Sequence, residues 1–304
     1  MSTVLTIDNL TKYYGPIRAL HNVSFNVPDG SVFGILGPNG SGKTTLLGII
    51  MDILKPSSGN YLWKGQPGSA KMRQQIGTLL ETPNFYHYLS GIRNLRIAAE
   101  IKQRGEDDIE KVLQLVNLWQ RKDSKFSTYS LGMKQRLAIA STLLGNPEIL
   151  VFDEPTNGLD PAGIAEIREL IKQLNRQGKT IIMASHILDE VEKVCSHVAI
   201  IQKGELKATG SVKEILDTKQ VNETVIEVEA DDLTALRSVI EQINGLLEIN
   251  VADHHLQVVF NNGITAKELN RFCFEKGIVL SRLNVKRRSL ETTFLEITGT
   301  KSEH

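Results

Sequence analysis

"SVFGILGPNGSGKTTLLGII", Ser31 to Ile50, is the stretch that decides the fold. Its first six residues are an apolar run of strand length, and a helical run begins near Lys43. Between them, Gly37-Pro38-Asn39-Gly40-Ser41-Gly42-Lys43-Thr44 fits G-x-x-x-x-G-K-[ST]. The glycines let successive backbone N–H groups curl around phosphate oxygens. Lys43 supplies a point charge for β- and γ-phosphates, and Thr44 a hydroxyl for Mg2+. A glycine-rich turn without a ligand is the competing reading. The strand–loop–helix setting weighs against it, because a helix start is where anions bind.

Working outward, the same alternation repeats. "EILVFDE" after Pro147 is a buried strand, a helix follows near 162–176, and "TIIMASH" is another strand. Alternating buried strands and helices predict a parallel α/β sheet. Upstream, "VLTIDNL", "YYGPIRAL" and "HNVSFNV" predict an antiparallel N-terminal subdomain, with "PSSG" at 56–59 as a turn. After Glu81 the text reads as helical to about Asn117, broken at "RGEDD". "HVAIIQKGELKATG" reads as a hairpin closed by Lys203-Gly204. The texture changes at "DTKQVNE", 217–223, which divides the chain into 1–217 and 218–304. The second part runs β-α-β-β-α-β, the order of a small ferredoxin-like α+β domain, with Leu233, Leu236, Ile240 and Ile243 on one helix face.

Three strand or helix ends carry candidate chemistry. Asp153 and Glu154 close an apolar strand, and strand ends of open parallel sheets are where ligands bind. Neighbours on a strand face opposite ways, so the two need different jobs: Asp153 suits Mg2+ through water, Glu154 a general base for an attacking water. A solvated acidic turn is the plain alternative. His186 ends "ASH", within reach of a γ-phosphate; a structural histidine is the alternative. In "YSLGMKQR", Tyr129 to Arg136, Ser130 precedes a helix whose free N–H groups and dipole favour an anion. An ordinary N-cap, worth about 1 kcal/mol, explains the same serine. His254-His255 lie on opposite strand faces, which argues against a shared metal.

Composition removes other classes. Lys plus Arg is 35 and Asp plus Glu is 35, so the 304-residue chain has zero net charge, without the basic surplus of a nucleic-acid binder. From residue 221 onward there are nine Lys/Arg against thirteen Asp/Glu. Two cysteines, Cys195 and Cys273, make no disulfide framework and suit a reducing compartment. No signal peptide is read at the start, and the longest apolar runs are strand-sized, far below the ~20 residues of a membrane helix.

Taken in order and spacing, Gly37–Thr45 with Thr45 as its last member, "YSLGMKQR", "ILVFDEP", "TNGLD" and "SH" resemble the ATP-binding subunit of an ABC transporter over about residues 3–217. The resemblance implies a P-loop NTPase fold with a helical subdomain, ATP hydrolysis with Mg2+, and Tyr14 stacked on adenine, with Tyr13 the weaker candidate. It implies that Ser130 and Gly132 form a signature motif capping the γ-phosphate held by a second copy, and that Asp160 links the two sites. It also implies a separate integral membrane permease, and so a cytoplasmic chain peripheral on the inner face of the cell membrane. The sequence departs from the family pattern in the signature, where Leu131 and Met133 replace Gly and Gln. It departs again at Glu81, where most members carry a Gln that touches Mg2+. Glu81, the signature variant and the added C-terminal domain resemble a branch of drug and peptide-antibiotic exporters, including lantibiotic-immunity and bacitracin-resistance types. Phe85, Tyr86 and Tyr88 are read either as core or as a groove for the permease. An importer, or a soluble member acting on ribosomes or DNA, remains the alternative. "VKRRS" is read as a solvated face, and the C-terminal domain as an accessory or dimerising module.

Overall fold

The computed structural model describes residues 2–80, 85–217, 224–252, 254–261, 263–286 and 289–298. Among these the elements run, in order, β1 (Thr3–Tyr14), β2 (Ile17–Pro28), β3 (Val32–Leu36), α1 (Lys43–Ile50), β4 (Ser58–Trp63), β5 (Gln66–Pro67), α2 (Ala70–Gln74) and β6 (Ile76–Leu79). Three helices follow, α3 (Gly91–Lys102), α4 (Ile109–Leu115) and α5 (Leu131–Leu143). Then come β7 (Ile149–Asp153), α6 (Pro161–Arg176), β8 (Thr180–Ser185), α7 (Leu188–Val194), β9 (His197–Gln202), β10 (Glu205–Ser211) and α8 (Val212–Asp217). Two compact units divide the chain, one up to Val212 and again from Phe294, the other Lys213–Thr293.

The central sheet of the first unit has the order β10-β9-β3-β8-β7-β6, parallel except for the β9–β10 hairpin. β3, β7 and β8 are buried along their whole length, as expected for strands covered on both faces. The second sheet, β2-β1-β4-β5, is antiparallel. Both sheets contribute to one core, where Phe25 and Phe33 stack with centroids 5.3 Å apart. The hairpin at Lys203-Gly204 is present, with both residues at positive φ.

The structure differs from the sequence reading between residues 58 and 90. β4, β5, α2 and β6 were not anticipated. The helix expected after Glu81 begins only at Gly91, because Ser90 caps it and Asn94 reaches back to hold both the N–H and the carbonyl of Tyr86. Those two bonds stabilise a loop that helical periodicity does not reveal. The boundary expected between 217 and 218 adjoins residues 218–223, which lie outside the described residues; the two compact units divide at Val212 and Lys213.

In the second unit, β11 (Thr224–Ala230), α9 (Leu233–Ile240), β12 (Leu246–Ala252), β13 (His255–Phe260), α10 (Ala266–Glu275) and β14 (Leu280–Lys286) form the expected β-α-β-β-α-β run. A further helix, α11 (Leu290–Thr298), was not anticipated; it starts in the second unit and from Phe294 belongs to the first. The sheet is antiparallel with order β12-β13-β11-β14. Its own core joins Ile226, Val228, Leu236, Ile240, Val258 and Phe260, with Leu233 and Ile243 packed against it. Local chemistry starts both helices: Asp232 caps α9, and Thr265 with Glu268 forms a capping box on α10.

Candidate functional site

Three adjacent strands bring the candidate residues together. β3, β8 and β7 are parallel neighbours in register, with Leu36 beside Ser185 and Asp153 beside Ala184. Their carboxyl ends are therefore level, and the residues that follow each end, Gly37, His186 and Glu154, emerge on one edge.

The loop after β3 is compact. A side chain at Gly37 would put a Cβ 2.2 Å from the Ile201 carbonyl, so only glycine lets β9 support the loop this closely. Gly42, at φ 107°, precedes α1 and offers no side-chain cap, so the helix's first N–H groups face the loop without one. The Ser41 hydroxyl is buried and has no hydrogen-bond partner among the described residues. The Lys43 ammonium is 5 % exposed and donates to the Gly37 carbonyl at 2.8 Å and the Pro38 carbonyl at 3.3 Å. Pro38, Asn39, Gly40 and Thr44 are exposed, and Thr45 is half-buried. Uncapped N–H groups, a buried hydroxyl and a cation make a donor set that suits a polyphosphate.

Glu154 sits at the centre. Its Oε1 lies 3.4 Å from Lys43 Nζ, and its Oε2 lies 2.8 Å from His186 Nδ1. The strand ends at Asp153, and Glu154 adopts a left-handed φ of 47° with its N–H on the Ala184 carbonyl. The sequence reading separated Asp153 from Glu154 by strand alternation. The structure separates them by this backbone turn instead, which few non-glycine residues adopt and which costs on the order of 1 kcal/mol or more. Asp153 is buried at the strand end.

The remaining candidates lie on exposed edges. Tyr14 and Tyr13 are both exposed beside the β1–β2 turn, and Lys12 Nζ lies 5.1 Å from the Tyr14 ring centre. Ser130 caps α5 by accepting from the Met133 N–H at 3.3 Å. Gly132 has open space on its Cβ side. Asp160 caps α6, accepting from the Gly163 N–H at 3.0 Å, with Pro161 starting the helix. Tyr129 is buried rather than presented. Burial pushes its phenol up from the ordinary range, and its hydroxyl donates to the Arg121 carbonyl. Phe85 meets Phe126 edge-on, while Tyr86 and Tyr88 are exposed. Glu81 lies outside the described residues. His254 falls in a turn and His255 lies 3.5 Å from Glu227; among the described residues no His/Cys/Asp/Glu group is arranged to hold a metal by itself. One support was missed from the sequence: the Gly204 N–H donates to the Ser41 carbonyl at 3.0 Å, tying the hairpin turn to the loop. The Lys203-Gly204 turn was legible; its contact was not.

A glycine cradle at one strand end, facing an acid and a histidine at the next two, defines the class of P-loop nucleotide hydrolases. Comparison with known proteins narrows the class. Residues 20–157 match the ABC transporter family model. An ABC transporter ATP-binding protein of Bacillus subtilis (strain 168), YhcH, itself uncharacterised, is 38% identical over 311 residues, covering 100% of this chain and 98% of that one. The bacitracin transport ATP-binding protein BcrA of Enterococcus faecalis is 32% identical over 304 residues, 98% and 97% of the two chains. An ATP-binding cassette solved as a dimer in a post-hydrolysis state with ADP and phosphate superposes with TM-score 0.62 at 28% identity, over 68% of this chain and 98% of that one. The chain belongs to the ATP-binding proteins of ABC transporters, a family that binds ATP and ADP, and it is an ATP-hydrolysing transport subunit.

Proposed function

We propose that this chain powers export of a drug or antimicrobial peptide through a separate integral membrane permease, as one of two copies that close on two ATP. The observation that carries the catalytic part is the Glu154 carboxylate, within 3.4 Å of the Lys43 ammonium and 2.8 Å of the His186 ring. Glu154 takes the proton of the attacking water, and His186 orients it and reaches the γ-phosphate. Lys43 and the N–H groups of Gly40 to Thr45 stabilise the charge that develops on the phosphoryl oxygens. Thr44 and Asp153 would hold Mg2+, which when bound draws charge from the β- and γ-phosphate oxygens; an exposed hydroxyl and a buried carboxylate are hard oxygen donors that suit it. Glu81, at the position where the family carries a Mg2+-touching Gln, would add a further oxygen and a negative charge.

Tyr14 stacks on adenine. Ser130 and Gly132 close over the γ-phosphate of the second copy, and Asp160 connects the two sites. The open side of Gly132 supports this, because it leaves the helix start approachable. Similarity to the bacitracin transport protein over nearly all of both chains supports the drug and peptide reading. The permease is a separate chain, and this subunit is held against the inner face of the cell membrane through it; among the described residues no helix is long and apolar enough to cross a membrane. The second unit serves as an accessory or dimerising module.

The test is Glu154→Gln. It keeps shape and hydrogen bonding but removes the base, so turnover falls by about 10²–10⁴-fold while ATP still binds. Sedimentation with ATP then gives a stable dimer; a monomer at saturating ATP contradicts the shared site.

A further inference from the structure

We propose that Arg136 and Glu166 are positioning residues that hold the two capped helix starts, Ser130 and Asp160, at the separation a shared nucleotide site needs; the assignment rests on the two-copy reading above. α5 and α6 both begin with a side-chain cap, and both starts carry residues expected to meet the second copy. At their tips, Leu131 of α5 faces the loop that leads into α6: its Cδ2 lies 3.5 Å from the point a Cβ on Gly158 would occupy, and the glycine puts no side chain there.

Behind the tips, each helix packs on the core through its own apolar face, but a cleft opens between their facing sides. A cleft of about 360 Å3 separates the end of α4 and the second turn of α5 from α6, lined among others by Leu115, Val116, Arg136, Glu166 and Leu170. Close-packed helices leave no such space, so side chains that span it set the geometry. Arg136 spans it. Its Nη1 donates to the Val116 carbonyl at 3.1 Å, holding the end of α4, and its Nε, which makes no hydrogen bond, forms an ion pair with Glu166 Oε2 on α6 at 3.4 Å. Its side chain is 16% exposed and that of Glu166 is 55% exposed, so solvent screens the pair from the Glu166 end and the bridge acts through geometry more than through charge. Arg136 follows Ser130 by six residues, and Glu166 follows Asp160 by six, so the bridge joins the two helices at equal depth behind their caps. A planar guanidinium can serve a carbonyl and a carboxylate at once; an ammonium at the end of a flexible stem serves one.

The experiment uses the full chain carrying Glu154→Gln and follows ATP-driven dimerisation by sedimentation. ATP affinity at dilutions where the chain is monomeric, and the melting temperature, are measured beside it. Glu166→Gln and Arg136→Lys should each weaken dimerisation about fivefold or more, with monomer ATP affinity and melting temperature unchanged, and Glu166→Asp should recover part of the loss. A purely structural role would move the melting temperature and leave the dimer constant relative to it. Unchanged dimerisation in both Glu166→Gln and Arg136→Lys overturns the assignment. If the Glu154→Gln parent itself stays monomeric with ATP, the two-copy reading fails, and the assignment with it.

Discussion

Lys102 shows how much a single side chain can be made to do without touching the nucleotide. It lies at the end of α3, and its Nζ sits 2.6 Å from the Ser141 carbonyl near the end of α5. Burial, with Arg104 nearby, pushes its pKa down from the usual 10.5 to about 8. The native chain thus releases this proton near pH 8, whereas the unfolded chain keeps it until about 10.5. Between those values the unfolded state binds more protons, so stability rises with pH across that window and the benefit is lost as pH falls through 8. The neutral amine still donates to Ser141. Urea unfolding of the parent and Lys102→Met at pH 7 and pH 10 should show the parent gaining relative to the variant at the higher pH. A constant difference would show that burial does not shift this group. At the same scale, Glu154 was legible as a candidate general base from its place after an apolar strand. Its left-handed backbone was not, since that conformation is imposed by the Ala184 carbonyl on a strand far away in sequence.

Among the elements, the β9–β10 hairpin carries a load its sequence does not advertise. Gly204 has φ 78°, its N–H donates to the Ser41 carbonyl, and its carbonyl accepts from the His21 N–H at 2.8 Å. A Cβ there would stand 2.6 Å from the Ala19 carbonyl, on backbone that cannot swing away. Gly204→Ala should therefore push the turn off the cradle and weaken ATP binding, at a stability cost of about 1–3 kcal/mol. Gly178 is the control: its φ is 88° and nothing lies within 4 Å of its Cβ. Gly178→Ala should cost about 1 kcal/mol and leave ATP affinity as it was. Equal ATP affinity in both variants, by titration calorimetry, would remove the hairpin from the account of the site. The elements read correctly from sequence were those with strong local signals: five-residue apolar strands, and helices opened by Asp160 or Thr265. β4 and β6 were missed because a strand of mixed exposure, β4, and one of only four residues, β6, are defined by their partners, β1 and β7, rather than by their own pattern.

For the whole molecule, two separate cores make a clear expectation. Phe260 is fully buried among Ile226, Val228, Leu256 and Val258 in the second unit, and the cradle rests on the first. Phe260→Ala should lower the stability of the second unit by about 3–5 kcal/mol. Nucleotide affinity at 20 °C should stay within about twofold of the parent, because residues of separate cores without shared partners act additively. A matching loss of ATP binding would mean that the cradle depends on the second core.

By itself the sequence determined the class of chemistry, the parallel sheet, the hairpin at Lys203-Gly204 and the β-α-β-β-α-β order of the second unit. Each of these rests on residue types acting within a few positions of one another, so the information is local. Only the tertiary structure decided that Lys43, Glu154 and His186 meet, that Gly204 supports Ser41, and that Arg136 crosses a cleft to Glu166. Those contacts join segments tens to more than a hundred residues apart. Their existence depends on strand order, register and the space left between helices, which are properties of the packed whole.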